Sequence, residues 1–336
     1  MKEQRRSENP PSTIVPHPLG ISNHPQSSDT IVPNTNLAPA NGFLCRTWNL
    51  GLVPWPKPVN GKLLLDELAA VFAKFLVLPE FIPVALALWT LHTHAFQLRP
   101  FTVNIGIESR QSRPRRTRLL NVLGALVNRP VVASHLRPGL LLGLIDESRP
   151  TLLIDEADGL ISGNDDLCDI VNSDCHRSSA FVVRVSNPQN QSTQILGATP
   201  VRETVANLGS SSPVLSPGLT LFPSWCPKAL VAAGRLPEFF ADHCILIRTR
   251  RKTRKDHCEP LQNLGRYANS LRRKCARFVS DCSQKISEAC PEIPQEIGGH
   301  HGAVWEPLLP LADLAGEPWS CLARQAAIEL SKKEKS

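Results

Sequence analysis

The sequence lacks the close cysteine pairs from which most structural zinc sites are built. It has ten cysteines, but no two of them are separated by two residues, so we expect no CxxC-type zinc site. The basic residues near the N-terminus are not followed by an apolar segment, so we expect no secretory signal peptide. Without such a signal the thiols are expected to stay reduced, and we predict a cytoplasmic location.

Long apolar runs are also missing. The longest candidate, residues 81–96, contains Pro83, His92 and His94. A membrane-spanning helix needs about 20 consecutive apolar residues, so this segment is too short to be one. We therefore predict a buried helix here and no membrane partner.

The composition suits a globular protein, and its pattern changes along the chain. The 336 residues are 42% hydrophobic and 20% charged, which is enough for a real core and roughly two domains. We predict a disordered tail (1–45), a helical unit (46–98), a core (99–255) and a basic helical C-terminal region (256–331). Within the core, residues 186–219 are rich in Ser, Pro, Asn and Gly, and we predict a mobile insertion there.

The core alternates between strand-like and helix-like segments. Strands are predicted at 101–107, 131–132 and 151–154, and helices at 119–127 and 138–146 between them. This alternation is typical of a parallel sheet with helices on both of its faces. Two apolar helices at 63–75 and 81–94 precede it. We therefore predict an α/β fold with an N-terminal helical pair and a helical C-terminal region.

The most informative stretch is Thr151–Asp158, in which a short apolar run ends abruptly in carboxylates. A run of this kind predicts a buried strand whose carboxyl end lies at the edge where open α/β sheets bind ligands. Asp155 at that edge can hold Mg²⁺, and Glu156 can polarise an attacking water, as in the Walker-B strand of nucleoside triphosphatases. The alternative is a strand followed by an acidic helix N-cap.

Further stretches match a known family in the same order along the chain. They are Leu64–Phe72, Ala85–Trp89, His92–Phe96, Arg149–Asp158, Cys226–Leu230, Gly234–Glu238, Arg250–Lys252 and Trp305–Ala315. From about Val53 to Leu330 the chain resembles an uncharacterised P-loop ATPase-like domain family of phage and plasmid primase–helicase proteins and of mobile-element proteins. The resemblance implies a P-loop NTPase-like fold and ATP with Mg²⁺ as cofactors. It also implies work on DNA beside a primase- or helicase-type partner.

The chain departs from that family where the family has its phosphate-binding loop. Arg113–Thr117 stands where relatives have two glycines, Lys and Thr. Arg113 and Arg115 carry bulky side chains where a phosphate loop uses glycine. Arg116 keeps the charge of the lysine but not its compact ammonium. Thr117 remains as the expected Mg²⁺ contact beside Asp155, which would also hold the metal.

Two other departures lie further along the chain. His243 stands where relatives tend to have an arginine that could sense the γ-phosphate, and Val304 and Glu306 flank Trp305 where Asn and Arg are typical. Together with the altered loop, these losses predict very weak ATP turnover, because each charged contact to a transferring phosphate supplies a large part of the rate. The alternatives are a non-catalytic DNA- or protein-binding remnant and a decayed gene copy without activity.

Positive charge is concentrated in one part of the chain. Residues 248–277 hold eleven lysines and arginines against two acids, although the whole chain carries only +7. A basic stripe of this kind can bind nucleic-acid phosphates. The candidate DNA contacts are Arg251, Lys252, Arg254, Lys255, Arg272 and Arg273. The alternatives are a solvated helix face and, for Arg250 and Arg251, a role inside the nucleotide site.

Overall fold

The order of strands and helices was obtained from a computed structural model. It describes residues 52–109, 113–132, 138–155, 157, 165–185, 194–196, 214–216, 219–248 and 257–332. The strands are β1 Asn104–Glu108, β2 Pro130–Val132, β3 Thr151–Ile154, β4 Phe181–Val185, β5 Gln194–Leu196, β6 Val214–Ser216, β7 Leu219–Pro223, β8 Lys228–Ala232 and β9 Cys244–Arg248. The helices are α1 Gly61–Phe75, α2 Ile82–Ala95, α3 Arg113–Leu126, α4 Pro138–Ser148, α5 Asp165–Asn172, α6 Glu238–Ala241, α7 Gly265–Asp281, α8 Ser283–Ser287, α9 His300–Trp305, α10 Leu309–Ala315 and α11 Trp319–Ser331.

Five of the strands form a parallel sheet in the order β2–β3–β8–β1–β9. Strand β8 lies at its centre and pairs with β1 on one side and β3 on the other. All five residues of β8 are buried, as expected for a strand that is covered on both faces. Because all five strands are parallel, their carboxyl ends meet at one edge.

Helices cover both faces of this sheet. Successive strand residues point to opposite faces, and the two hydrophobic clusters follow that alternation. One cluster contains Ile105, Leu153 and Val231 together with residues of α1, α2, α3 and α7. The other contains Leu152, Ile154 and Leu230 together with residues of α4, α5 and α6. The predicted fold class is therefore confirmed: it is an α/β fold with a parallel sheet between helical layers, consistent with a P-loop-like domain.

The N-terminal helical pair is also confirmed. Helix α1 begins after Asn60, whose side chain accepts a hydrogen bond from the N–H of Leu63 at 3.0 Å. This contact satisfies one of the backbone donors that a helix start leaves unpaired. Helix α2 is apolar on nearly every side, and eleven of its residues are buried, which is typical of a helix enclosed by its neighbours.

A second sheet was not predicted from the sequence. It is antiparallel in the order β5–β4–β7–β6. Strand β4, Phe181–Val185, follows the predicted strands along the chain but belongs to this second sheet. Strands β5 and β6 lie within residues 186–219, where an insertion was predicted; the mobility of that segment stays a prediction. Short strands of three residues carry too little hydrophobic pattern to be recognised in the sequence.

The C-terminal region is helical, as predicted. It begins with a 3₁₀ turn, α7 and α8, and Cys282 marks the break between the two helices. The boundaries predicted for the tail, the helical unit, the core and the C-terminal region stay predictions, and the tail lies outside the described residues. In the part of the chain that the structure describes, no helix is long and apolar enough to cross a membrane. Nor does a disulfide join any two of the described cysteines.

A buried histidine connects α2 to the segment that enters β1. His92 is 1% exposed, and its Nε2 accepts a hydrogen bond from the N–H of Val103 at 3.1 Å. Burial lowers the pKa of His92 to about 3, and the nearby Arg99 adds to this effect. The neighbouring His94 contacts the carbonyl of Leu126, and burial lowers its pKa to about 4. Both rings are therefore neutral in the folded protein near pH 7.

We predict that this pair makes the fold sensitive to acid. Below pH 6.5 the unfolded chain binds protons at both histidines, whereas the folded chain does not until about pH 4 and about pH 3. The free energy of unfolding should therefore fall as the pH falls through this window, by roughly 1.4 kcal/mol per pH unit for each histidine. Denaturant unfolding between pH 7 and pH 5 measures the slope. His92→Gln should remove the part of this slope that His92 causes. An unchanged slope in this variant would contradict the lowered pKa of His92.

Two glycines offer a matched test of packing around α1. A Cβ atom at Gly61 would lie 2.7 Å from Cε2 of Phe278 and 3.0 Å from Cα of Ala315, whereas one at Gly143 meets nothing within 4 Å. Gly61→Ala should therefore lower the free energy of unfolding by about 1–3 kcal/mol through overpacking. Gly143→Ala, on an exposed helical position, should raise it by about 0.5–1 kcal/mol. Thermal unfolding of the two variants measures both effects, and equal shifts would count against this packing.

Candidate functional site

The structure brings together two of the residues that the sequence singled out. Thr117 Oγ1 donates to Asp155 Oδ2 at 3.4 Å, although the residues are far apart in the sequence. Thr117 lies at the start of the second turn of α3, and Asp155 directly follows β3. They meet because β1 and β3 run parallel and α3 crosses from the end of β1 toward β2. The predicted partners therefore share one site at the carboxyl edge of the sheet.

The geometry of this pair fits a small hard cation. Two oxygens 3.4 Å apart can both lie about 2.1 Å from a single ion, which is the Mg²⁺–oxygen distance in proteins. Mg²⁺ is usually held by one or two protein oxygens, with substrate phosphates and waters as the other ligands. A larger protein ligand set is not expected, and within the described residues no group of three or more His, Cys, Asp or Glu could hold a metal.

The helix that carries Thr117 begins earlier than the sequence suggested. A helix was predicted at 119–127, but α3 begins at Arg113. This corrects the predicted start, since Pro114 fits the first turn of a helix, where its missing N–H is not needed. Arg116 therefore stands in the first turn and Thr117 directly after it, close to the helix start where the backbone N–H groups and the helix dipole favour an anion.

Arg118 fixes the position of this helix start. Its Nε donates to the carbonyl of Phe75 at 2.8 Å, and its Nη2 donates to the carbonyl of Glu259. These bonds tie α3 to the end of α1 and to the segment before α7. Arg118 thus stabilises the fold at this point, whereas Arg116 directly precedes Thr117.

A second group of polar contacts at the same edge was missed by sequence reasoning. Glu108, the last residue of β1, accepts a hydrogen bond from the N–H of Leu236 at 3.0 Å and from Nε of Arg248 at 3.1 Å. Glu108 and Arg248 are level in the register of β1 and β9. The partners are more than a hundred residues apart in sequence, so no local pattern indicates the contact.

Several predicted site residues lie outside the part of the chain that the structure describes. Glu156, proposed to polarise water, lies outside the described residues. The same holds for four of the candidate DNA contacts, which are Arg251, Lys252, Arg254 and Lys255. Their roles stay predictions.

The two remaining candidate DNA contacts, Arg272 and Arg273, lie on α7. Nε of Arg273 donates to the carbonyl of Val53 at 2.9 Å, and its guanidinium lies over the ring of Trp55. Arg272 is partly buried, and this burial lowers the pKa of its guanidinium. Arg273 thus contacts other parts of the protein, and Arg272 is partly buried by them. DNA binding by either arginine stays a prediction.

His243, which stands where relatives tend to have an arginine, lies at the opposite edge of the sheet from Thr117 and Asp155. His243 immediately precedes β9, whereas Thr117 and Asp155 stand where the parallel strands end. The length of a five-residue strand, about 16 Å, separates His243 from that edge. Its ring instead packs edge-to-face on His300 at 5.4 Å. Within one chain His243 therefore lies far from the Thr117–Asp155 pair.

Glu306, another departure from the family pattern, has a structural partner. It forms an ion pair with Arg99, whose side chain is only 9% exposed. Nη1 of Arg99 also donates to the carbonyls of Ile286 and Ala289 at 2.9 and 2.8 Å. Arg99 and Glu306 line a cavity of about 620 Å³ with Phe101. Because Phe101 precedes β1, this cavity lies away from the carboxyl edge.

We predict that Glu306 contributes to stability through this pair. Glu306→Gln leaves Arg99 buried without a carboxylate, which should lower the free energy of unfolding by about 2–3 kcal/mol, discounted because Glu306 is 26% exposed. The control is Lys332→Gln, which breaks an ion pair with Glu329 in which both side chains are well exposed. That change should have almost no effect. Equal effects of the two substitutions would show that the Arg99–Glu306 pair does not contribute to the free energy of unfolding.

Comparison with known families gives a partial match. Residues 248–336 match the model of a family described as "Protein of unknown function (DUF3631)". The match covers less than half of the chain and includes α7 to α11. It confirms that this part of the chain resembles a domain of unknown function. No curated protein matches the chain.

Proposed function

We propose that the chain binds a Mg²⁺–nucleoside triphosphate, with ATP as the expected nucleotide, at the carboxyl edge of its parallel sheet. The observation that carries the proposal is the 3.4 Å approach of Thr117 Oγ1 to Asp155 Oδ2. A helix start, a hydroxyl and a carboxylate at this edge are the parts with which P-loop proteins hold Mg²⁺ and phosphate. Arg116 would supply a positive charge in place of the usual lysine.

Hydrolysis is proposed to be weak. Asp155 and Thr117 would hold the metal, and Glu156 would orient the attacking water, as its place after the strand suggests. The usual phosphate loop uses glycines and a lysine that this chain replaces with arginines. Each missing contact to the transferring phosphate lowers the rate by about 100-fold or more. A bound metal would neutralise negative charge on the phosphates, and Asp155 and Thr117 would fix the position of the metal.

The proposed setting follows the family resemblance. Phage- or mobile-element-type DNA replication beside a primase or helicase would use such a domain, in the cytoplasm where thiols stay reduced. The alternative is a protein that keeps the fold and binds DNA or a partner without hydrolysing nucleotide. Filter binding to DNA that falls steeply with salt would support DNA contact, and absent or salt-insensitive binding would count against it.

The first test is a calorimetric titration with ATP, with and without Mg²⁺. We expect binding by about 1 mM ATP that depends on Mg²⁺. Asp155→Asn keeps the shape but removes the charge that holds the metal, and it should lower the Mg²⁺-dependent affinity about tenfold or more. The control is Glu147→Gln, an equal loss of charge on an exposed residue near the opposite edge. Absence of binding at millimolar ATP would end the proposal.

Phosphate release separates the enzyme from the alternative. Glu156→Gln should remove any slow hydrolysis while leaving nucleotide affinity unchanged. Binding without measurable turnover in the unaltered protein would favour the non-catalytic alternative. Full turnover in the Glu156→Gln variant would show that a contaminating enzyme had been measured.

A further inference from the structure

The order of strands places a change of direction between β1 and β8, where the topology of an open α/β sheet predicts a crevice. These strands are neighbours in the sheet, but the chain leaves them toward opposite faces. After β1 it forms α3, which packs in the cluster with Leu153 and Val231. After β8 it forms α6, whose Phe240 packs in the other cluster. Ligands of open α/β sheets bind outside the strand ends at such a change of direction.

The two sides of this crevice carry different groups. Thr117 and Asp155 stand on the α3 side, as described above. On the α6 side Glu108 holds the N–H of Leu236 at 3.0 Å, and Leu236 belongs to the segment between β8 and α6. The same carboxylate holds Nε of Arg248 at 3.1 Å. Arg248 belongs to the neighbouring strand β9, so this bond directs its guanidinium toward the end of β1.

Distances along the sheet place both sides within reach of one ligand. Ile154 is level with Leu230, and Leu230 is level with Gly106. Asp155 is therefore about one residue short of the level of Glu108, and the two strands that carry them are two strand spacings, or about 10 Å, apart. Arg248 is level with Glu108 on β9, one spacing further and about 15 Å from Asp155 across the sheet, a gap that an extended arginine side chain and a phosphate chain would bridge together. The Glu108 side chain is 11% exposed, which makes it a fixed anchor, whereas Arg248 is 46% exposed and can meet a ligand from solvent.

We propose that Arg248 is a phosphate-contacting residue of this site and that Glu108 is its positioning residue. This inference rests on the proposed function and extends it, because it assigns the second side of the crevice to the phosphate chain. A guanidinium presents five N–H donors in a planar fork that matches phosphate oxygens. Glu108 restrains this fork through one edge, so less conformational freedom is lost when phosphate binds.

The assignment predicts a preference for longer phosphate chains. The Arg248 guanidinium lies on the far side of the crevice from Thr117 and Asp155. A triphosphate is long enough to contact both sides, whereas a diphosphate is shorter and contacts Arg248 less well. Arg248→Ala should therefore weaken ATP binding about 10- to 100-fold, the loss expected for one charge-assisted contact. ADP binding should weaken less, so the ratio of ATP to ADP affinity should fall.

The positioning role of Glu108 is tested by a double-mutant cycle. Glu108→Gln keeps an acceptor for the Leu236 N–H but loses the charge that restrains Arg248. It should weaken ATP binding less than Arg248→Ala does, and it should have no further effect when combined with Arg248→Ala. Tighter ATP binding in Glu108→Gln, or fully additive effects, would overturn the positioning role. Thermal unfolding of each variant confirms that the fold is kept.

A control variant and the unaltered protein distinguish failure of the Arg248 assignment from failure of the proposed nucleotide binding. Lys285→Ala removes an equal charge from an exposed position on α8 and should leave ATP and ADP affinities unchanged. If the unaltered protein binds Mg²⁺–ATP and Arg248→Ala binds equally well, the inference is wrong while the proposed function stands. If the unaltered protein binds no nucleotide, the proposed function is wrong and the inference falls with it.

Discussion

The fold depends on the parallel pairing of one central strand. Strand β8 is buried throughout and joins β1 to β3, so it determines which residues meet at the carboxyl edge. Its alternating side chains enter both hydrophobic clusters, and this double burial is the main source of stabilisation for a sheet covered on two faces. Without β8 in this place, the ends of β1 and β3 would not face one site.

Part of the fold and of the candidate site could be predicted from the sequence because these features depend on local patterns. The apolar run that ends at Asp155 identified β3, and the alternation of elements identified the parallel sheet. Thr117 was found through family resemblance, and its contact with Asp155 is what the resemblance implies for a shared site. In each case a short stretch of sequence carries the hydrophobic or chemical pattern on which the prediction depends.

Other features could not be predicted because their partners are distant in the sequence. Glu108 and Arg248 meet only after β9 pairs with β1, and Arg99 meets Glu306 only after the C-terminal helices have packed. His243 directly precedes β9, so the direction in which β9 runs in the sheet decides at which edge His243 lies. This direction depends on how the strands pair and not on the sequence near His243. The short strands of the second sheet have too few residues for a recognisable pattern.

The central claim is that Thr117 and Asp155 hold one metal ion beside a nucleotide. Its most direct test is a crystal grown with Mn²⁺, which replaces Mg²⁺ and scatters anomalously, and a non-hydrolysable ATP analogue. The account predicts an anomalous peak about 2.2 Å from both Thr117 Oγ1 and Asp155 Oδ2, with phosphate oxygens completing the metal shell. A nucleotide bound elsewhere, or a metal that contacts neither oxygen, would contradict it.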